Sequence, residues 1–591
     1  MVYYNLSKWT ISEETEGLLF FAQRIEEILC HYTLDSFKGR LLNTPLLIIE
    51  AQKTISDIEN EKINNSHIKY IIEELNWSLK QDRVANKLLD IERELYYPIN
   101  FDPKSTNYDE LKDILSLLAK KLVNRKYESV CRHLLTEAIK DNKKKDINAL
   151  CENWICILQY MDYSRSWLYL YVVNFFFKAK NEIKSKDILD AFFSKIDFKE
   201  KLFHVYCIAD ALLEKAIAAI QLSSISITNI PNELLVNARA AAYKNKKNAK
   251  RIFIRCEVKH CDPYTAFQST TDIIDNIRDL FGFYYHKNSP NVLDEKLVVN
   301  QDDLSDITLL SSQEQPMINT TNKIGITTAA NKLTKLFGGL TPSPQTTVKI
   351  FRVFDLHSSC IQNRNLENQI LNLWTALEVI VPLKQHEDKS KIEQISTIIS
   401  QSSTLGYCYK LVKETLVYFL IWNRGLVNKH IYSLNNKYGD KLFNKFLAFI
   451  VLDELEQNRI ALYSDLNNFP LLRFRIYQLH ESMHSPQCLL TLFNNHSQKL
   501  MWHLRRLYRT RNLIVHDNNT IYRLENLVSN CHLYVDDFTK LMLRLIQNDR
   551  SIETIEQGVK YIELTYQHRI NKLKSSGIID ITNYQSLLLW K

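Results

Sequence analysis

Apolar residues along the first 240 positions recur with a helical period. Leu19, Phe20, Ile25, Ile28 and Leu29 share one face at about 100° per residue, and Leu111, Ile114, Leu115, Leu118 and Leu122 repeat the arrangement. The spacing predicts successive amphipathic helices without the fixed period of a repeat solenoid. No acids, bases and nucleophiles gather at useful spacing here, so residues 1–242 read as a helical region whose expected task is sensing or regulation.

The pattern changes near Tyr243. Arg251-Ile-Phe-Ile-Arg-Cys-Glu-Val alternates as a strand does, Asp262-Pro263 marks a turn, and Tyr264 to Phe283 returns to a helical period. A second extended stretch, Lys296 to Leu310, is expected to pair with the first strand, giving a small α+β module over 243–312. Residues 313–345 are rich in Ser, Gln, Thr and Asn, with Gly338-Gly339 and Pro342-Ser-Pro344, and read as a linker. Helical patterning resumes at Val348 and defines a domain over 346–570. The tail, 571–591, ends in Leu587, Leu588, Leu589 and Trp590, which are expected to dock back. The fold class is therefore mostly α: a long helical N-terminal region, a small α+β module and a C-terminal multi-helix bundle.

Composition sharpens this picture in a few places. Eleven glycines and 12 prolines in 591 residues are few, as helices require. Neither GxGxxG nor Gly-Lys-Ser/Thr occurs, which removes the common glycine-loop nucleotide sites, and no cofactor is expected. A net charge of +8 permits a phosphate-bearing partner without requiring one. The 11 cysteines are scattered and mostly inside apolar patterns, as buried reduced thiols of a cytoplasmic protein are. The first residues lack a secretory pattern. The most apolar run, Trp167 to Phe177, is about half a bilayer span and holds Asn174, so a buried helix and no membrane are expected.

The candidate chemistry lies on a helix from about Leu500 to Val515. Leu500, Leu504, Leu507, Tyr508, Ile514 and Val515 form its apolar stripe, and Arg511 interrupts that stripe. A guanidinium in such a place needs a partner or a wet cleft. Asn512 sits on the flank, with His516 one turn further on the same side. An arginine can neutralise a phosphate in its transition state, and an imidazole can move a proton near neutral pH. RNA supplies its own nucleophile, the ribose 2′-OH, so phosphodiester cleavage would need no metal and would leave a 2′,3′-cyclic phosphate. Lys246 and Lys247 in the basic stretch after Tyr243, together with Arg505 and Arg509, are candidate RNA contacts.

Arg511-Asn512-x-x-x-His516 resembles the R-x4–6-H signature of the HEPN superfamily, including the Asn that often follows the Arg. Leu373-Trp374-Thr375-Ala376-Leu377-Glu378 resembles the L-W-x-A-L-E helix of the ApeA-like HEPN branch, and the two segments occur in that order. The resemblance spans roughly 346–550, with a longer separation than in compact HEPN domains, so extra helices near 385–470 are implied. It implies a helical bundle that forms a homodimer with two Arg/His pairs in one cleft. It also implies a metal-independent endoribonuclease acting on RNA, tRNA being one candidate, in antiviral defence or as a toxin. A phage-derived or antitoxin protein would then be its trigger or inhibitor. In this reading Arg511 stabilises the scissile phosphate, His516 does acid/base work, Asn512 orients either the histidine or the phosphate, and Glu378 is a candidate partner for Arg511.

Other patterns compete. His480-Glu481-Ser482-Met483-His484 spells the H-E-x-x-H zinc-protease helix, but Pro486 follows where that helix must continue. Arg424-to-His430 fits the Arg/His spacing loosely, with Gly425 in place of a polar residue. Cys256, His260 and Cys261 supply only three possible metal ligands near one strand. The alternative from a different class is a non-catalytic helical module that binds RNA or protein and keeps the motif for structural reasons.

Overall fold

The structure is a computed structural model that describes residues 4–30, 42–100, 108–178, 182–220, 222–286, 290–312, 325–339, 342–383, 390–516, 524–549 and 551–590. The chain is mostly α with a small α+β module, and it forms two compact units. One unit combines Met1–Trp154 with Gln315–Lys591, and the other is Ile155–Glu314. The expected boundary at 242 is therefore moved: the first 154 residues fold with the C-terminal helices, and the module begins much earlier than 243.

In the first unit, the chain opens with α1 (Glu13–Leu29), α2 (Thr44–Glu59), α3 (Ser66–Gln81), α4 (Tyr108–Lys121) and α5 (Asn124–Lys140). Helix α1 is buried on nearly every side, including Gln23, Arg24, Glu26 and Glu27. These charges are tolerated because they are paired: Arg24 bonds Glu27 and Glu152 at 2.5 Å each. The apolar stripes of α2, α3 and α4 close on one another around Ile48, Ile55, Ile68, Leu75, Leu115 and Leu118.

The second unit is built on a five-stranded antiparallel sheet. Its strands are β1 (Lys201–Asp210), β2 (Ile225–Ile227), β3 (Arg251–His260), β4 (Val292–Asn300) and β5 (Ile307–Leu310), in the spatial order β2-β3-β1-β4-β5. The stretch from Lys296 is therefore a hairpin of β4 and β5 that pairs with β1, not with the Arg251 strand as expected. Strand β1 is the centre. Its Phe203, Val205 and Cys207 face one core with Phe267, Ile274 and Ile277 of α6 (Pro263–Tyr284), while Tyr206 and Ile208 face another with Leu234 and Tyr243. Within Trp167–Phe177, the helix Arg165–Val172 runs into a π-helical turn, Val173–Phe177. No helix among the described residues is long and apolar enough to cross a membrane.

The chain then re-enters the first unit through α7 (Ile326–Gly339), a helix inside the segment expected to be a linker. It continues as α8 (Pro344–Gln362), α9 (Leu366–Ile380), α10 (Lys391–Val427, broken by a kink at Asn423), α11 (Pro470–Met483), α12 (Pro486–His516), α13 (Leu524–Asn548) and α14 (Ile555–Ser575). Residues of α8, α9, α10, α12, α13 and α14 share one core around Trp374, Ile395, Leu504, Val535 and Ile562. The tail docks against this unit: Leu587 and Leu588 are buried, and Arg569 holds the Leu587 carbonyl at 3.1 Å.

Candidate functional site

Helix α12 serves two cores. Leu500, Leu504 and Leu507 lie in the C-terminal core, with Tyr508 and Ile514 packed at its edge, whereas Leu513 belongs to the core of α2, α3 and α4. The expected single stripe is thus divided, and Val515, placed on it from the sequence, is 50% exposed. Arg511 is half-buried rather than central to a core, and its Nη1 donates to Asn512 Oδ1 at 3.1 Å. His516 is the last residue of the helix, and its side chain lies outside the described residues, as do positions 517–523.

The tryptophan motif meets this helix. Helix α9 is capped by Asn365, whose side chain accepts from the Asn368 amide at 3.0 Å, and it buries Leu373, Trp374 and Leu377. The rings of Trp374 and Tyr508 stand 5.4 Å apart. Two segments more than a hundred residues apart in sequence therefore share one core. Glu378, however, accepts from its own helix neighbour, Trp374 Nε1, at 2.9 Å. Among the described contacts it is the partner of that buried indole and not of Arg511. A buried indole N–H needs an acceptor, which explains the choice.

The other arginines of α12 are committed inside the fold. Arg506 Nε lies 3.0 and 3.2 Å from the two carboxylate oxygens of Glu50, and its Nη2 bonds Glu74 at 2.5 Å. Arg509 is 8% exposed; it pairs with Glu50 and donates to Thr54 Oγ1 at 2.8 Å. Burial draws the Arg509 guanidinium down to about 10, which leaves it charged at neutral pH. Arg505 lies over the Tyr70 ring, 3.1 Å from its centroid. Tyr70 in turn donates to Glu393 at 2.8 Å, and burial together with that bond raises its phenol to about 12. Arg505 and Arg509 are therefore structural cations, contrary to their expected role as RNA contacts. A long helix with four arginines signals a cationic surface only until acids elsewhere in the chain claim them, and Glu50 and Glu74 carry no local signal of doing so.

In the second unit, Lys246 pairs with Glu295 and Lys247 lies over the Phe253 ring, 5.2 Å from its centroid. Arg255 is likewise matched by Glu257 at 2.8 Å, so the basic stretch is partly neutralised where it folds. His260 faces Asp162 at 3.1 Å, and Cys256 is buried within the sheet. In the first unit, the zinc-protease pattern does not form one continuous helix. Helix α11 ends at Met483 with His484 as its cap, and His480 Nδ1 is held by the Ile450 carbonyl at 2.7 Å. His430 is 7% exposed and bonds Asp465 at 2.6 Å.

Sequence reasoning missed the groups that α3 brings to α12. Glu50, His67, Tyr70, Ile71, Glu74, Trp502, Arg505, Arg506 and Arg509 line a small, partly open cleft. His67 stacks on Tyr508 at 5.7 Å between centroids, and burial lowers its pKa, favouring the neutral imidazole. Its three arginines are interleaved with two carboxylates, so the cleft joins α2, α3 and α12 rather than presenting a one-signed surface to a nucleic acid. Compared with protein-family models, with curated proteins and with solved structures, the chain matches none.

Proposed function

We propose that the chain is an endoribonuclease that cleaves RNA by attack of the ribose 2′-OH, with Arg511, Asn512 and His516 as its working residues. The observation that carries the reading is the meeting of α9 and α12 in one core, Trp374 against Tyr508, which unites the two segments that resemble the HEPN superfamily. A second observation supports it. Arg505, Arg506 and Arg509 are each engaged by groups of the first unit, whereas among the described residues no carboxylate pairs with Arg511. Its guanidinium keeps hydrogen-bonding capacity for a phosphate.

In the proposed step the 2′-oxygen attacks phosphorus as its proton leaves, and the bond to the 5′-oxygen breaks with a proton delivered to that oxygen. The products are a 2′,3′-cyclic phosphate and a free 5′-OH. Arg511 stabilises the charge that gathers on the phosphoryl oxygens, His516 transfers a proton, and Asn512 holds Arg511 in place. A homodimer that pairs two such helix ends, a cytoplasmic location, and a defence or toxin role under the control of another protein all belong to this proposal through the resemblance.

One observation favours the alternative, a non-catalytic helical module: the neighbouring arginines of α12 are structural. Purified wild type, Arg511→Ala and His516→Ala incubated with bulk tRNA, with and without EDTA, separate the two. Cleavage by folded wild type alone, leaving cyclic phosphate ends, supports the nuclease. Equal cleavage by all three removes these residues from the assignment.

A further inference from the structure

Two imidazoles and a carboxylate converge between α8 and α13. His357 Nε2 lies 2.8 Å from His532 Nε2. Asp536 Oδ1 lies 3.3 Å from the first nitrogen and 3.5 Å from the second. His532 and Asp536 are one turn apart on α13, so a single helix face presents both. His357 arrives from α8, 175 positions earlier in the chain. One turn beyond Asp536, Lys540 donates to the other carboxylate oxygen, Oδ2, at 2.7 Å.

Three potential donor atoms thus face one another across a triangle. A single proton between the imidazoles satisfies one edge, while the two edges to the carboxylate, at 3.3 and 3.5 Å, are longer than good hydrogen bonds. A cation satisfies all three edges at once. Ligand atoms about 2.0–2.1 Å from a tetrahedral zinc ion stand about 3.3–3.4 Å from each other. The observed edges of 2.8, 3.3 and 3.5 Å surround that value.

We propose that His357, His532 and Asp536 bind a divalent transition-metal ion of the zinc class, bridging α8 to α13. Two imidazoles and one carboxylate suit zinc, whereas calcium and magnesium require more oxygen ligands. His532 is 1% exposed and His357 25% exposed, so the fourth ligand, water, enters beside His357. Lys540 orients the carboxylate from outside the ligand set. The inference is independent of RNA cleavage, whose proposed residues lie on α12.

The test is cobalt and zinc uptake by the chelator-treated full-length chain, read by visible absorption and by metal analysis after gel filtration. Wild type is expected to take up one equivalent, to show the intense visible bands of a low-coordinate cobalt site, and to gain Tm when zinc is restored. His357→Gln, at the partly exposed corner, and Asp536→Asn are each expected to weaken uptake at least about tenfold. The His484→Ala variant, which disturbs the separate His480/His484 pair, is expected to bind as wild type does. Circular dichroism before metal addition verifies that each variant is folded. Absence of uptake and of any zinc-dependent Tm gain in wild type overturns the proposal, and so does equal uptake by wild type and folded His357→Gln.

Discussion

Arg506 on α12 and Glu50 on α2 form a two-pronged ion pair, with Nε at 3.0 Å from Oε1 and Nη2 at 2.9 Å from Oε2. Both side chains are about nine-tenths buried, and Glu50 also pairs with Arg509. Removing one member of a buried pair leaves the other desolvated without compensation, which costs about 3–5 kcal/mol. Glu50→Ala is expected to cost about 3 kcal/mol, the lower end of that range, because Glu74 still bonds Arg506 and Thr54 still accepts from Arg509. Urea unfolding at neutral pH measures it. A loss below about 1 kcal/mol would place the pair among solvent-screened surface contacts instead.

Arg509 and Arg511, two positions apart on one helix, are expected to respond in opposite ways. Arg509→Ala strips Glu50 and Thr54 of a buried donor and should lower Tm markedly. Arg511→Ala removes a half-buried side chain bonded to Asn512 and should change stability by about 0.5 kcal/mol or less, while reducing RNA cleavage at least about 100-fold. Parallel melting curves and cleavage rates decide it. A Tm loss in Arg511→Ala as large as that in Arg509→Ala would make the whole arginine series structural.

Which features were legible in the sequence follows from the range of the forces involved. Helix α4 announced itself because its buried Leu111, Leu115 and Leu118 recur every three or four positions, a signal carried within one turn, whereas α1, with the same apolar period, is buried on nearly every side. Strand β1 did not. Its Val205-Tyr206-Cys207-Ile208-Ala209 run is buried on both faces, so the alternation that reveals an edge or half-exposed strand is missing. Arg511 stood out because it breaks a local pattern. The fates of Arg505 and Arg509 were illegible because Tyr70 and Glu50 lie more than 400 residues away and nothing local marks them as partners. A separation of 175 residues likewise hid His357 from His532, although His532 and Asp536 already stood one turn apart.

The buried His503 should make stability depend on pH. Asn530 Nδ2 lies 3.3 Å from its Nε2 and Tyr534 Oη 2.9 Å from its Nδ1. Burial, followed by the nearby Arg506 charge, lowers its pKa from 6.5 to about 3. Between those values the unfolded chain holds a proton that the folded chain does not, so stability falls as pH drops below 6.5. Between pH values of about 7 and 5 this one group should remove about 2 kcal/mol. His503→Gln, which cannot take up that proton, should show a correspondingly smaller loss over the same interval in denaturant titrations. Identical losses in wild type and variant would mean that His503 is protonated within the fold.

Two buried glycines should answer differently to alanine, because one faces backbone and the other a flexible side chain. A Cβ at Gly17 on α1 would meet the Ile139 carbonyl oxygen far inside van der Waals contact and the Asn142 Cα at 3.4 Å. Backbone at the end of α5 cannot rotate away, so the helices must separate. At Gly558 on α14 the nearest atom is Met542 Sδ at 2.9 Å, the end of a side chain with several rotatable bonds. Alanine improves the intrinsic helix preference at either site by about 1 kcal/mol. At Gly17 overpacking should outweigh that gain and leave a net loss of about 1–3 kcal/mol. At Gly558 the methionine can move aside, and the net change should stay within about 1 kcal/mol of zero. Differential scanning calorimetry of the two variants provides the comparison. An unchanged Tm for Gly17→Ala would mean that α1 and α5 do not approach as closely as their backbones indicate.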